Sequence, residues 1–378
     1  MTDTPLLKLQ DYGQSVWLDY LRRNLVTSGE LVQKIEQDGL RGLTSNPAIF
    51  KEAIVGSPDY DDAIRTLSAQ GLTEDVIYET MAVEDIQGAA DAFRPLYDRV
   101  DGKDGFVSLE VSPHLARDTA GTIAEAKHLW KKVNRPNLMI KVPGTPEGLP
   151  AIQELIGEGI NVNVTLLFSR EAYKACAEAY ISGLEAYHTK GGNLSRVASV
   201  ASFFLSRIDS SIDAKLEALI AKTTDPAELE KRQGLLGEAA IANAKLAYQD
   251  YKAIFTSERF KRLAQAGAHP QRLLWASTGT KNPHYRDVRY VEELVGPNTV
   301  NTMPVATLNA CADHCELRSS LEENLEQAQK VLTDLESVGI SLDQVTHDLL
   351  VDGLSKFTGP FDELLQSIRN KRALVASP

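Results

Sequence analysis

Short apolar runs and amphipathic stretches alternate along this chain. The runs are Ser15–Tyr20, Arg41–Ser45, Gly105–Val111, Leu138–Val142, Val162–Phe168, Val197–Ser202, Arg272–Ser277 and Thr299–Thr302. Each has strand length, and the segments between them show helical periods. Ala120, Ile123, Lys127, Trp130 and Val133 fall at mixed three- and four-residue spacing. Leu149, Ile152, Leu155 and Ile156 form another such face, opened by Pro146 and closed by Gly157 and Gly159. Eight strands alternating with helices predict an α/β fold, a single (β/α)8 TIM barrel with additional helices. Helical insertions are expected over about 59–100 and 207–267, and C-terminal helices over about 317–374, from the patterns Leu317–Val338 and Phe361–Lys371. No linker rich in Gly, Ser or Pro interrupts the pattern, so one domain spanning residues 1–378 is expected.

Residues two apart on a strand share a face. In FVSLEV, Val107, Leu109 and Val111 take one face, and Phe106, Ser108 and Glu110 the other. In VNVTLLF, Val162, Val164 and Leu166 oppose Asn163 and Thr165; Lys141 lies with Met139, and Asp19 with Trp17. Strands of a parallel barrel, covered on both faces, ordinarily read as near-continuous apolar runs. Here one face ends in polar groups just before the loop, the position where barrel enzymes carry their active sites. Taken singly, each group has an ordinary explanation: a lysine snorkels to solvent, a carboxylate or amide caps a helix. Taken together, Asp19, Asn46, Glu110, Lys141, Thr165 and Ser202 occupy matching places on six strands and would converge.

Bulk properties narrow the partners. The 378 residues exceed the ~250 of a minimal barrel, leaving room for insertions. A formal net charge of −12 disfavours nucleic acid, though not a small phosphorylated substrate held by local cations. Three cysteines, Cys176, Cys311 and Cys315, are too few for a disulfide framework and point to a reducing compartment. The first residues show no basic segment followed by an apolar one, and no apolar run approaches the ~20 residues of a membrane helix. A cytoplasmic protein with no membrane contact, monomeric or homodimeric, is expected.

An amine in a water-poor barrel mouth is driven toward its neutral form and can attack a ketone. The resulting iminium draws electrons from a breaking carbon–carbon bond, and a carboxylate must move a proton at the scissile hydroxyl. Lys141 supplies the amine, and Asp19 and Glu110 the carboxylates. Asn46, Asn163 and Ser202 offer groups for sugar hydroxyls.

The segments RGLTSNPAIF, VSLEVSP, NLMIKVPGTPEGLPAI, GINVNVTLLFS and ASFFLSRID resemble the strand motifs of transaldolases, in that family's order, from WLDYLRR to at least STGTKNP. The resemblance implies a barrel enzyme without metal or cofactor that transfers a dihydroxyacetone unit between sugar phosphates. It makes Lys141 the Schiff-base lysine and Asp19 the acid/base at the donor's C4 hydroxyl. Glu110 and Thr165 would hold and activate water. Asn46, Asn163 and Ser202 would bind the dihydroxyacetone part, and Arg207 a phosphate. A second arginine of the family is replaced in ASTGTKNP by Lys281, a point charge rather than a planar fork. Related fructose 6-phosphate aldolases typically carry Gln and Tyr where this chain has Glu110 and Phe204, so the resemblance favours transfer over release of dihydroxyacetone.

Three other readings compete. A glycoside hydrolase would use Asp19 and Glu110 as paired carboxylates but leaves Lys141 without a role. A non-catalytic sugar-phosphate-binding barrel needs Arg207 and Lys281 alone. A metal-dependent enolisation enzyme requires carboxylates on successive strands, where this chain has Glu110, Lys141 and Thr165. The stretch from Cys311 through His314 to Cys315 has metal-ligand residue types but no second cluster, and is expected to be helical. STGTK lacks the spacing of a nucleotide loop.

Overall fold

The computed structural model describes residues 4–375. Eight parallel strands form a closed barrel in sequence order, β1 (Gln14–Asp19), β2 (Gly42–Thr44), β3 (Phe106–Glu110), β4 (Leu138–Pro143), β5 (Val162–Leu167), β6 (Ser199–Phe204), β7 (Arg272–Ala276) and β8 (Thr299–Met303), with β8 pairing back to β1. Each predicted strand is present within two residues of its expected ends. Glu110 stands opposite Lys141, and Lys141 opposite Asn163.

The apolar outward positions pack against helices, as for Val107, Val142 and Val164, all fully buried. Alternation fails once. A bulge shifts the register between Val164 and Leu167, and Leu166 has φ 61°. A side chain built on Gly144 would meet Val164 and Leu167 together, so Leu167 takes the outward place that strict alternation assigns to Leu166.

The opposite end of the barrel is plugged. Trp17 Nε1 donates to Asp104 Oδ1 at 2.9 Å, and Arg272 Nη1 donates to Ser15 Oγ at 2.8 Å. The Trp17 ring lies 2.5 Å from where a Cβ on Gly42 would sit, so only glycine fits beside it. A smaller cavity, of about 150 Å³, lies at this end beside Phe106, Met139, Val200 and Arg272.

Helices exceed the expected insertions in number. Pro47–Val55, Asp61–Ala69 and Glu74–Arg99 lie between β2 and β3; Ser206–Ile220, Pro226–Gln233, Ala239–Phe255 and Glu258–Gln265 lie between β6 and β7. The C-terminal patterns are redrawn. Leu317–Val338 contains a helix only over Leu325–Ser337, and Phe361–Lys371 is part of one long helix, Leu342–Val375. That helix carries Pro360 in its interior and packs against Pro47–Val55, Asp61–Ala69 and Glu74–Arg99. Leu364 and Ile368 are fully buried, and Phe361 meets Tyr78 edge-on at 5.4 Å between ring centroids. No helix among the described residues is long and apolar enough to cross a membrane.

Candidate active site

At the carboxyl end of the strands a cavity of about 210 Å³ is lined by eight of the ten residues predicted for the site: Asp19, Asn46, Lys141, Thr165, Ser202, Phe204, Arg207 and Lys281. The other two, Glu110 and Asn163, stand behind this wall. Both are buried.

Lys141 is 4% exposed. Its Nζ donates to the Ser45 carbonyl at 3.1 Å and lies 3.2 Å from Glu110 Oε2. The centroid of the Phe357 ring is 5.6 Å from the same nitrogen, within cation–π range. Burial pushes the Glu110 carboxyl above the usual carboxylate range, against the pull of Lys141. Glu110 also borders a second cavity, of about 310 Å³, outside the barrel beside Tyr78, His114 and Phe361.

Burial likewise pushes the Asp19 carboxyl up, while Lys141 and the Thr44 hydroxyl hold it back. Thr44 Oγ1 donates to Asp19 Oδ1 at 2.6 Å and lies 2.7 Å from Thr302 Oγ1. Asp19 is thus oriented by a hydroxyl while its outer surface faces the cavity.

Asn163 closes a chain of hydrogen bonds one layer below. Ser202 Oγ donates to Asn163 Oδ1 at 2.7 Å, and Asn163 Nδ2 donates to Ser108 Oγ at 3.0 Å. Ser45 Oγ joins by donating to the Ser108 carbonyl at 2.8 Å. Polar side chains inside a barrel are costly unless paired, and these fix one another's orientation. Asn163 therefore supports Ser202 from beneath rather than lining the cavity. Asn46 combines an ordinary role with a cavity position. Its Oδ1 accepts from Ile49 N at 3.0 Å, capping Pro47–Val55, and its amide NH₂ remains as a donor. Thr165 Oγ1 is buried and has no protein partner.

The backbone is strained at two places beside the cavity. Leu166 (φ 61°) follows Thr165, and Ser277 (φ 56°) follows β7. Left-handed conformations at non-glycine residues cost about 1–3 kcal/mol each and tend to gather at functional sites.

On the rim, the Arg207 guanidinium carbon lies 5.4 Å from the centroid of the Phe204 ring, and Arg207 Nη1 is buried without a hydrogen-bond partner. Burial disfavours its charged form, and Asp352 and Asp19 counteract this. Lys281 is exposed.

Sequence reasoning missed Thr44, Thr302, Ser277, Lys356 and Phe357, which also line the cavity. Inward alternation at the ends of β2 and β8 could have found the two threonines. Nothing local marks Lys356 and Phe357, which arrive on the helix Leu342–Val375. Away from the site, Cys311 and Cys315 are buried, and His314 turns to Asp287 and Asp313, each at 2.9 Å. Among the described residues no group of three or more His, Cys, Asp or Glu is placed to hold a metal ion.

Residues 16–368 match the family model described as Transaldolase/Fructose-6-phosphate aldolase. A transaldolase of Trichodesmium erythraeum is 50% identical over 373 residues, covering 98% of each chain. A protein named Transaldolase 2 from Nostoc punctiforme is 50% identical over 374 residues, again covering 98% of each. A transaldolase of Thermobifida fusca is 46% identical over 371 residues, covering 98% of this chain and 99% of its own. With the matched segment running through every strand of the barrel, this chain belongs to the transaldolase/fructose-6-phosphate aldolase family.

Proposed function

We propose that this protein is a transaldolase, moving a dihydroxyacetone unit from fructose 6-phosphate or sedoheptulose 7-phosphate to an aldose phosphate such as glyceraldehyde 3-phosphate or erythrose 4-phosphate. One observation carries the reading: a buried lysine amine faces the same cavity as Asp19 and has a carboxylate, Glu110, 3.2 Å away.

The residues suit successive tasks. Glu110, whose burial strengthens its hold on a proton, accepts one from the Lys141 ammonium and frees the amine. The amine adds to C2 of the ketose, and loss of water gives an iminium. Asp19 takes the C4 hydroxyl proton, the C3–C4 bond breaks, and its electrons pass to the iminium as an enamine forms. The aldose phosphate leaves. The enamine adds to the acceptor aldehyde, whose oxygen takes the proton held by Asp19, and water hydrolyses the new iminium, freeing the product ketose phosphate and the Lys141 amine. Thr165 Oγ1 and Glu110 are suited to hold that water. Ser202 and Asn46 are placed for donor hydroxyls, and Arg207 and Lys281 for phosphate.

Transfer requires that the enamine outlast the departure of the first product. Phe204 favours this, because its ring lies 5.2 Å from Phe168 and under Arg207, and it presents no hydroxyl to orient a water. A hydrolase reading gives Lys141 no task. Borohydride reduction in the presence of fructose 6-phosphate tests the proposal. Mass spectrometry should find a reduced three-carbon adduct on Lys141, and an unmodified Lys141 would refute it.

A further inference from the structure

We propose that Lys356 is a third phosphate-binding cation of the cavity rim and that Asp352 is its resident counter-ion, displaced when a substrate phosphate arrives. This rests on the transaldolase reading and extends it to residues on the helix Leu342–Val375.

The charge of the cavity wall is lopsided. Lys141, Arg207, Lys281 and Lys356 line it, against Asp19 alone. Lys141 is matched by Glu110 from behind, so three rim cations face one carboxylate that the chemistry occupies elsewhere. Such an excess suits a dianion. Asp352 reduces it without lining the cavity. Its Oδ2 lies 2.6 Å from Lys356 Nζ, one helical turn away. Its neighbour Gly353 is close enough to Arg207 that a Cβ there would lie 3.8 Å from Nη1, the nitrogen with no hydrogen-bond partner. Asp352 is also the strongest of the charges that help keep Arg207 protonated.

The Lys356–Asp352 pair is half exposed and spans one turn of a single helix, a kind of pair that holds weakly and exchanges easily. A phosphate bridging Arg207, Lys281 and Lys356 offers Lys356 more negative charge than Asp352 does. Exchange also ties the helix to the substrate. Phe357, next in sequence, lies over Lys141, so a phosphate held by Lys356 keeps that ring in place.

Lys356→Met and Asp352→Asn test this, both at exposed or half-exposed positions that leave the packing intact. With erythrose 4-phosphate as acceptor, Lys356→Met should raise KM about ten-fold with little change in kcat, while KM for unphosphorylated glyceraldehyde stays within two-fold. Asp352→Asn should lower KM for erythrose 4-phosphate. Titration calorimetry with inorganic phosphate, which needs no turnover, should show weaker binding in Lys356→Met and tighter binding in Asp352→Asn. Equal KM changes for both acceptors, or phosphate affinity unchanged in both variants, would overturn the proposal. Borohydride trapping on the same proteins separates the two readings: calorimetric shifts without trapping refute only the transaldolase assignment, and trapping without the shifts refutes only the role of Lys356.

Discussion

Thr44 Oγ1 donates a hydrogen bond of 2.6 Å to Asp19 Oδ1, so the carboxylate proposed to move the substrate proton is held by a hydroxyl from the neighbouring strand. The bond stabilises the ionised form and offsets part of the burial that pushes the Asp19 carboxyl up. Thr44→Val removes it at nearly constant volume. Without it Asp19 holds its proton to higher pH, so the acidic limb of the kcat–pH profile should move upward. A profile superimposing on the wild type would show that Asp19 is not the base that limits cleavage.

Asp19 also links pH to stability. Its proton is bound more tightly in the folded chain than in the unfolded one, where the ordinary value is 3.8. The folded state is therefore favoured below 3.8, and that advantage is lost as pH rises through the elevated folded value. Asp19→Asn keeps a neutral side chain at every pH. Its melting temperature relative to wild type should rise as pH increases from below 3.8 and then level off. The same variant should slow carbon–carbon cleavage by at least ~10²-fold while imine trapping persists.

Lys141→Ala should abolish both transfer and borohydride trapping. It also leaves Glu110 buried without its partner, a change that costs about 3–5 kcal/mol when such a charge cannot relax. Glu110 can take up a proton instead, so the loss measured by urea unfolding should be smaller near pH 5 than at pH 8. Near-normal turnover in this variant would remove the central assignment.

Phe204→Tyr places a hydroxyl beside the cavity where it can orient water toward the iminium. Free dihydroxyacetone should then appear from fructose 6-phosphate with no acceptor present, at several times the wild-type rate in an enzymatic assay. Unchanged release would mean that the ring does not control access of water.

Gly353 lets the helix Leu342–Val375 settle onto the strand ends. A Cβ there would lie 3.1 Å from Leu166 Cδ2. Gly353→Val should force the helix outward, destabilising the fold by about 1–3 kcal/mol. It should also raise KM more than the milder Gly353→Ala, since Phe357 and Lys356 move together. A Val variant with wild-type stability and KM would show that the close approach is incidental.

The barrel was legible because each strand carries its own record: apolar residues on one face, and polar groups at the end of the other. Lys141, Asp19 and Glu110 could be brought together from that pattern alone, since closure of a barrel makes strand ends converge. Asn163 was harder to place. Strand alternation puts it inside, but its depth depends on the register with Lys141, which the local sequence does not encode. Leu166 was misplaced because a bulge leaves no mark in residue type. Lys356 and Phe357 were invisible because a helix distant in sequence delivers them. The pattern Phe361–Lys371 revealed an amphipathic segment but not that the helix begins at Leu342 or where its earlier turns lie.

The amine's confinement has a stereochemical consequence. With Lys141 tethered to the Ser45 carbonyl and attended by both Glu110 and the Phe357 ring, a planar three-carbon fragment bonded to its nitrogen has little freedom to turn over. On the proposed mechanism an incoming aldehyde would then meet one side of the fragment, and the chamber would set the handedness of the newly made carbon centres.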